Sequence, residues 1–305
     1  LRREMHKVRQ AFEAFDAKPT PPPASFVEFL KRYVSIQNED GKWRRIKPWD
    51  CQVVAATTLV DHRLNVWLKA RQLGMTWLGL AKALHVALNE SGVTVLLFSR
   101  RDDEAKELLH RLKGMAARLP EAMRPRVVES NDHRYRLGNG SRVLCFPTTA
   151  GDSYTARFAM IDEADLVPDL GRLLGAVKPT IDAGGSLLML SRVDKSRSVS
   201  ASPFKQTYLA AKKGASPWHP LFLPWHARPD RTPAWYEEQR RDVVGRTGSL
   251  DVLWEQYPAT DKEALAPNQL DKRIQTEWLQ RVDDVRPGKT CDVPCVRVWD
   301  APTGE

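Results

Sequence analysis

Cysteine is scarce: the 305 residues contain four, at positions 51, 145, 291 and 295. Thiols this few and scattered exclude a disulfide-stapled scaffold and suit a reducing compartment. Cys291 and Cys295 lie close together but have no second Cys/His pair near them, whereas structural zinc wants about four ligands. No apolar run approaches the roughly 20 residues a transmembrane helix needs, so no membrane association is expected. The opening Leu1-Arg-Arg-Glu-Met is mixed in charge and does not read as a secretory leader. No internal repeat or low-complexity tract interrupts the chain. Acidic residues are the scarcer charge, 38 Asp and Glu against 47 Lys and Arg, a net of +9. Such an excess suits a polyanionic partner, because neutralising phosphates is the sequence-independent part of nucleic-acid binding.

What is present reads as a folded α/β protein. An apolar share of 42% beside 28% charged residues leaves ample material for a buried core. Residues 1–17 carry Val8, Phe12 and Phe15 at helical spacing, and Pro19–Pro23 then breaks the helix. A second amphipathic stretch follows from Phe26, closing an N-terminal helical segment over 1–39. Beyond the Asp40-Gly41 turn the pattern alternates. Asn65–Lys69, Val93–Phe98, Arg142–Phe146, Phe158–Ile161 and Ser186–Leu190 read as strands. Thr76–Leu88 and Asp102–Leu119 read as helices. Strands alternating with helices predict a mainly parallel sheet covered on both faces, here over residues 40–215. After about residue 200 tryptophan and proline become frequent and strand signals fade, which predicts a small lid or linker subdomain over 216–285. Arg286-Pro-Gly-Lys reads as a linker, making 286–305 a passage toward a further domain.

Two segments carry chemistry. Lys69-Ala-Arg-Gln-Leu-Gly-Met-Thr76 lies between a predicted strand and a predicted helix, where free N–H groups and the positive helix end suit phosphates. The pattern G-x-x-x-x-G-K-[ST] is nearly met: Gly74 and Thr76 hold the second glycine and the hydroxyl, but Met75 holds the lysine position. Lys69 stands where the first glycine would be and could swing its ammonium onto the same oxygens, with Arg71 as a second cation. The other segment, Phe158-Ala-Met-Ile-Asp162-Glu163, is an apolar strand ending in two carboxylates. Asp162 suits Mg²⁺ and Glu163 suits activation of a water. Together the two segments predict a P-loop NTPase.

With these motifs placed, the chain resembles the ATPase half of the large terminase subunits, the DNA-packaging motors of tailed bacteriophages. Lys47-Pro-Trp-Asp-Cys-Gln52 is similar to that family's adenine-binding motif, and Ala70-Arg-Gln-Leu-Gly-Met-Thr76 to its phosphate loop. Asn139-Gly-Ser-Arg-Val onward and Asp162-Glu-Ala resemble its second nucleotide motif, and Leu188-Met-Leu-Ser191 its coupling motif. Trp254-Glu-Gln-Tyr-Pro-Ala-Thr-Asp-Lys-Glu-Ala-Leu265 resembles a stretch at the end of its ATPase region. The resemblance covers roughly residues 40–270. It implies ATP and Mg²⁺ as cofactors, with Gln52, Lys69, Arg71, Gln72, Gly74, Met75 and Thr76 at the nucleotide. Thr76 and Asp162 would hold the metal, Glu163 and Arg71 would act in catalysis, and Ser191 in coupling.

The implied partners are double-stranded DNA, a small terminase subunit, a portal protein and further copies in a ring, at the procapsid portal in the host cytoplasm. Some family members carry the phosphate-loop lysine early, as Lys69 does. Asp152-Ser153 stands where members often have a trans-acting arginine, leaving Arg142 and Arg157 as weak substitutes. The nuclease domain that normally follows would begin near Val296. Two other readings remain open. Asp162-Glu-Ala-Asp165 spells a helicase-like signature, and the Met75 change would also suit a nucleotide-binding module that has lost catalysis.

Overall fold

The structure, a computed structural model, describes residues 20–148 and 154–268. The helix expected over 1–17, Asp152-Ser153, Cys291, Cys295 and the linker over 286–305 lie outside these residues.

In chain order the elements are α1 (Phe26–Tyr33), β1 (Ser35–Gln37), β2 (Trp43–Arg45), α2 (Asp50–Asp61), β3 (Leu64–Lys69), α3 (Met75–Asn89), β4 (Thr94–Ser99) and α4 (Asp102–Ala117). Then come β5 (Val127–Ser130), β6 (Arg134–Leu137), β7 (Arg142–Pro147), β8 (Phe158–Asp162), α5 (Leu170–Thr180), β9 (Ser186–Ser191) and α6 (Pro203–Lys212). The described chain closes with β10 (His219–Leu223), α7 (Pro233–Thr247), α8 (Asp251–Gln256) and α9 (Asp261–Leu265).

Eight strands form one sheet in the order β10-β3-β9-β8-β4-β7-β6-β5. Pairing is parallel from β10 through β7 and antiparallel at the β7-β6-β5 edge. The parallel strands are continuous apolar runs because both faces are covered: every residue of β4 and β8 is buried. One face carries a core of α1–α4 side chains, including Phe29, Leu78, Leu84 and Leu112. The other is packed by Leu173, Val177, Phe204 and Tyr208 of α5 and α6. Helix α3 is nearly all apolar because it is enclosed, and Gly79 permits its close approach: a Cβ there would meet the Met160 sulfur of β8 at 2.7 Å. Helix α4 is amphipathic, and its first turn, Asp102-Asp103-Glu104, places negative charge at the positive end of the helix dipole.

The mainly parallel sheet flanked by helices is therefore as expected. One boundary is corrected. His219–Leu223, assigned by sequence to the small subdomain beginning at 216, is the edge strand of the main sheet and runs parallel to β3. Trp218 and Pro220 hide the strand signal, yet an edge strand needs ladder bonds on one side only, so proline is tolerated there. Chain folding order brings the C-terminal tips of β3, β9, β8 and β4 side by side, with Leu68 opposite Ser191, Leu190 opposite Asp162, and Ile161 opposite Phe98. Ligands of open parallel sheets bind at such carboxyl ends.

Candidate active site

Lys69 ends β3, Asp162 ends β8, Glu163 follows it, and Ser191 ends β9, so four of the expected residues share one sheet edge. Between β3 and α3 the loop Ala70–Gly74 turns sharply, with Gln72 (φ 61°) and Gly74 (φ 72°) in the left-handed region. Glycine is required at 74 twice over. The φ suits it, and a Cβ there would lie 2.6 Å from the Gln52 amide nitrogen.

Two side-chain pairs define the site. Lys69 Nζ donates to Glu163 Oε1 at 2.9 Å, with the lysine side chain 7% exposed and the glutamate 29%. Thr76 Oγ1 lies 3.1 and 3.2 Å from the two Asp162 oxygens, so the hydroxyl donates to that carboxylate. Burial, then the charge of Glu163, push the Asp162 carboxyl upward, opposed by Lys69 and the Thr76 hydroxyl. Burial also penalises Glu163, but Lys69 and Arg192 outweigh it and hold that carboxyl below its ordinary value. Backbone strain marks the same place. Glu163 sits at φ 49°, a left-handed conformation that non-glycine residues adopt rarely and that clusters at functional sites.

A cavity of about 470 Å³ opens beside the two carboxylates, lined by Arg71, Ser99, Arg100, Asp162 and Glu163 and, from α4, by residues that include Glu104 and Glu107. Ser191 is fully buried. Its hydroxyl accepts the Asp165 N–H at 3.1 Å and lies 3.4 Å from Glu163 Oε2, tying the tip of β9 to the carboxylate loop. The Arg192 N–H donates to that same oxygen at 3.4 Å. Asp165, the last residue of the helicase-like signature, points the other way. It is 1% exposed, accepts from the Asp194 N–H at 2.7 Å and from the Ser202 hydroxyl, and has Lys205 at 3.8 Å, so its work is to fasten the chain after β9.

Three residues expected at the nucleotide have their side chains engaged within the chain. The Met75 side chain is 1% exposed in the apolar core, so position 75 can offer only its backbone N–H. The Gln52 amide binds the chain itself. Its oxygen accepts the Trp49 N–H at 3.0 Å and its nitrogen donates to the Leu73 carbonyl at 3.0 Å, which braces the loop. The Gln72 side-chain oxygen accepts from Arg231 at 3.0 Å, and its carbonyl from Arg228 at 3.5 Å. Arg71 does line the cavity, with its NH1 donating to Gln256 Oε1 at 2.9 Å.

The two substitute arginines lie at the opposite edge of the sheet. Arg157 donates to Glu90 and to the Gly184 carbonyl, and Arg142 to Thr94 at the start of β4. The helical basic residues are largely occupied locally. Arg100 and Arg101 pair with Glu104, Arg111 pairs with Glu107, and Arg118 lies 4.0 Å over Trp43. Sequence reasoning missed Arg192 and Glu255, which form a close ion pair, and Gln256. Arg192 directly follows Ser191 and the other two lie within Trp254–Leu265, so only their chain positions hinted at a role.

The family model described as terminase large subunit, T4likevirus-type, N-terminal, matches residues 66–219. Among solved structures, the large terminase ATPase domain of Thermus phage P74-26 superposes with TM-score 0.56 at 16% identity, over 79% of this chain and 98% of that one. The large terminase of bacteriophage HK97 superposes with TM-score 0.61 at 14% identity, over 77% of this chain and 54% of that one. The large terminase of another thermophilic bacteriophage, in complex with ATP-gamma-S, gives 0.50 at 13% identity over 63% of this chain and 49% of that one. This chain thus spans about half the length of the latter two subunits. At these identities the likeness speaks for the fold, and the family model, matching half of the chain, speaks for descent. The chain belongs to the terminase large subunits of T4-like-virus type, in the N-terminal region of that family.

Proposed function

We propose that this chain is the ATP-hydrolysing motor domain of a large terminase, coupling ATP hydrolysis to the movement of double-stranded DNA into a procapsid. The observation that carries the reading is the convergence of Lys69 on Glu163 at 2.9 Å and of Thr76 on Asp162 at 3.1 Å, with both carboxylates lining one cavity beside Arg71. A buried cation, a hydroxyl, two carboxylates and the free N–H groups of a helix start are the parts that phosphoryl transfer needs.

Lys69 is held by Glu163 and would exchange that carboxylate for phosphate oxygens. The exchange frees Glu163 to accept a proton from an attacking water, with the Ser191 hydroxyl and the Arg192 N–H keeping its second oxygen oriented. Arg71, at the cavity wall, would stabilise charge developing on the transferred phosphoryl group. The donor set fits Mg²⁺: Thr76 and Asp162 are hard oxygen donors, and among the described residues no cluster of three His, Cys, Asp or Glu could form an all-protein cage. When bound, Mg²⁺ would neutralise phosphate charge. On this reading the chain would work as a ring with a small terminase subunit and a portal in the host cytoplasm, and its net charge of +9 suits the DNA that it would move.

ATP turnover of wild type, Lys69→Ala and Glu163→Ala tests the reading. Each substitution should lower turnover by two to four orders of magnitude, roughly what general-base or charge-stabilising groups contribute. Full activity in Glu163→Ala would sink the enzyme reading, and unchanged turnover and affinity in Lys69→Ala would sink the relocated-lysine role.

A further inference from the structure

We infer that Glu255 and Gln256, at the end of α8, are positioning residues for hydrolysis: they set the Arg71 side chain and, through Arg192, the Glu163 carboxylate. The inference rests on the function proposed above and adds to it a pair of residues far away in the chain.

The observations form a closed circuit. Gln256 grips Arg71 at two points, its carbonyl accepting the Arg71 N–H at 2.9 Å and its side-chain oxygen accepting Arg71 NH1 at 2.9 Å. Glu255 pairs with the Arg192 guanidinium, and its other oxygen accepts the Lys195 N–H at 3.3 Å. The two residues are joined to each other, since Gln256 Nε2 donates to Glu255 Oε1 at 3.2 Å. Arg192 in turn donates its N–H to Glu163 Oε2 at 3.4 Å, and Glu163 holds Lys69. One dipeptide therefore spans the two sides of the site, the phosphate loop on one and the segment after β9 on the other.

Arginine has five donors in a planar fork at the end of a long stem with many rotamers. Gln256 takes NH1 and fixes the plane, leaving the rest of the fork for the cavity that Arg71 lines. Orientation of this kind acts on the transition state more than on the bound substrate. The chain that follows the dipeptide is fastened to the rest of the fold. The Trp225 N–H donates to the Pro258 carbonyl at 3.0 Å, and Lys195 Nζ donates to the Glu263 and Ala266 carbonyls at 2.6 and 2.7 Å. Removing the Gln256 side chain leaves the backbone bond to Arg71 and these anchors in place; it releases the Arg71 fork and the 3.2 Å bond to Glu255, which Arg192 and the Lys195 N–H still hold.

The test is single-turnover ATP hydrolysis by the full 305-residue chain, which reads rates far below steady-state turnover. The variants are Gln256→Met, which keeps volume and loses the acceptor, Gln256→Ala, Arg71→Ala and the double variant Arg71→Ala/Gln256→Met. Both Gln256 variants should lower the rate about tenfold with ATP affinity changed less than about twofold. Placed in the Arg71→Ala background, Gln256→Met should cost nothing further, an outcome that a merely structural role would not produce. Glu255→Gln should slow hydrolysis by a similar factor in both the presence and the absence of Arg71, since it works on the Glu163 side. The inference is overturned if Gln256→Met hydrolyses at the wild-type rate, or if its loss is equally large without Arg71. Should Arg71→Ala and Glu163→Ala themselves keep wild-type rates, it is the proposed function that fails.

Discussion

The Lys69–Glu163 pair can be tested without nucleotide, by folding stability alone. At 2.9 Å and an effective dielectric constant near 20, the two charges attract by roughly 6 kcal/mol before desolvation is counted. Desolvation removes much of that, since exposed pairs contribute about 0–1 kcal/mol while breaking a buried one costs about 3–5. With the lysine side chain 7% and the glutamate 29% exposed, the pair lies between these limits. Glu163→Gln strands the more buried charge and should cost about 3 kcal/mol. Lys69→Met strands the better-hydrated carboxylate, which keeps Ser191 and the Arg192 N–H, and should cost about 2 kcal/mol. The double variant removes both charges in similar volume and should return to within about 1 kcal/mol of wild type. Urea denaturation of the four proteins at neutral pH measures this as an interaction energy of at least about 4 kcal/mol. Losses that add to within about 0.5 kcal/mol would refute the pair as a coupled element of the folded state.

Two further outcomes follow from buried groups. His85 sits among Phe26 and Phe29 with its Nε2 against the Pro23 carbonyl at 2.8 Å, and burial depresses its pKa to about 4. The unfolded chain takes up that proton first, so stability is complete above about pH 6.5 and falls as pH drops toward 4; His85→Gln, which keeps a donor, should remove about 2 kcal/mol of the loss between about pH 7.5 and 5, measured by denaturant titration. Met75→Lys should not rescue Lys69→Ala: the side chain at 75 lies in the core at 1% exposure, so a lysine there should lower stability by about 2–4 kcal/mol without restoring ATP turnover. Recovery of turnover would show that residue 75 can turn out of the core.

The parallel strands were legible because each is an enclosed apolar run, and the four site residues at their tips were legible because each ends such a run. β10 was hidden by Trp218 and Pro220, and its edge position is a property of pairing, which no local pattern carries. The hairpin of β5 and β6 escaped because each strand is only four residues long and β5 leaves both of its valines exposed, so neither forms an enclosed apolar run. At the site, Lys69, Thr76, Asp162, Glu163 and Ser191 came together as the motif spacing implied. Gln52 shows the limit of carrying a role over by motif. Its position is as expected, but whether an amide reads a ligand or braces a loop depends on partners such as Leu73, 21 residues away. The grip of Gln256 on Arg71 spans 185 residues, and no periodicity or spacing encodes a contact of that separation.

The displaced lysine is explained by what each position must bury. A side chain at the first turn of α3 faces the apolar core here, and Met75 fills it at 1% exposure. Lys69 emerges from the sheet edge instead, itself 6% exposed, where an ammonium is tolerated only with a counter-charge within reach. Glu163 supplies that charge, and the strain of its left-handed backbone is local to the residue that must change partner. The ion pair keeps both charges neutralised at rest. On the proposed function, a phosphate that took Lys69 would release Glu163, whose other oxygen already faces the Ser191 hydroxyl and the Arg192 N–H.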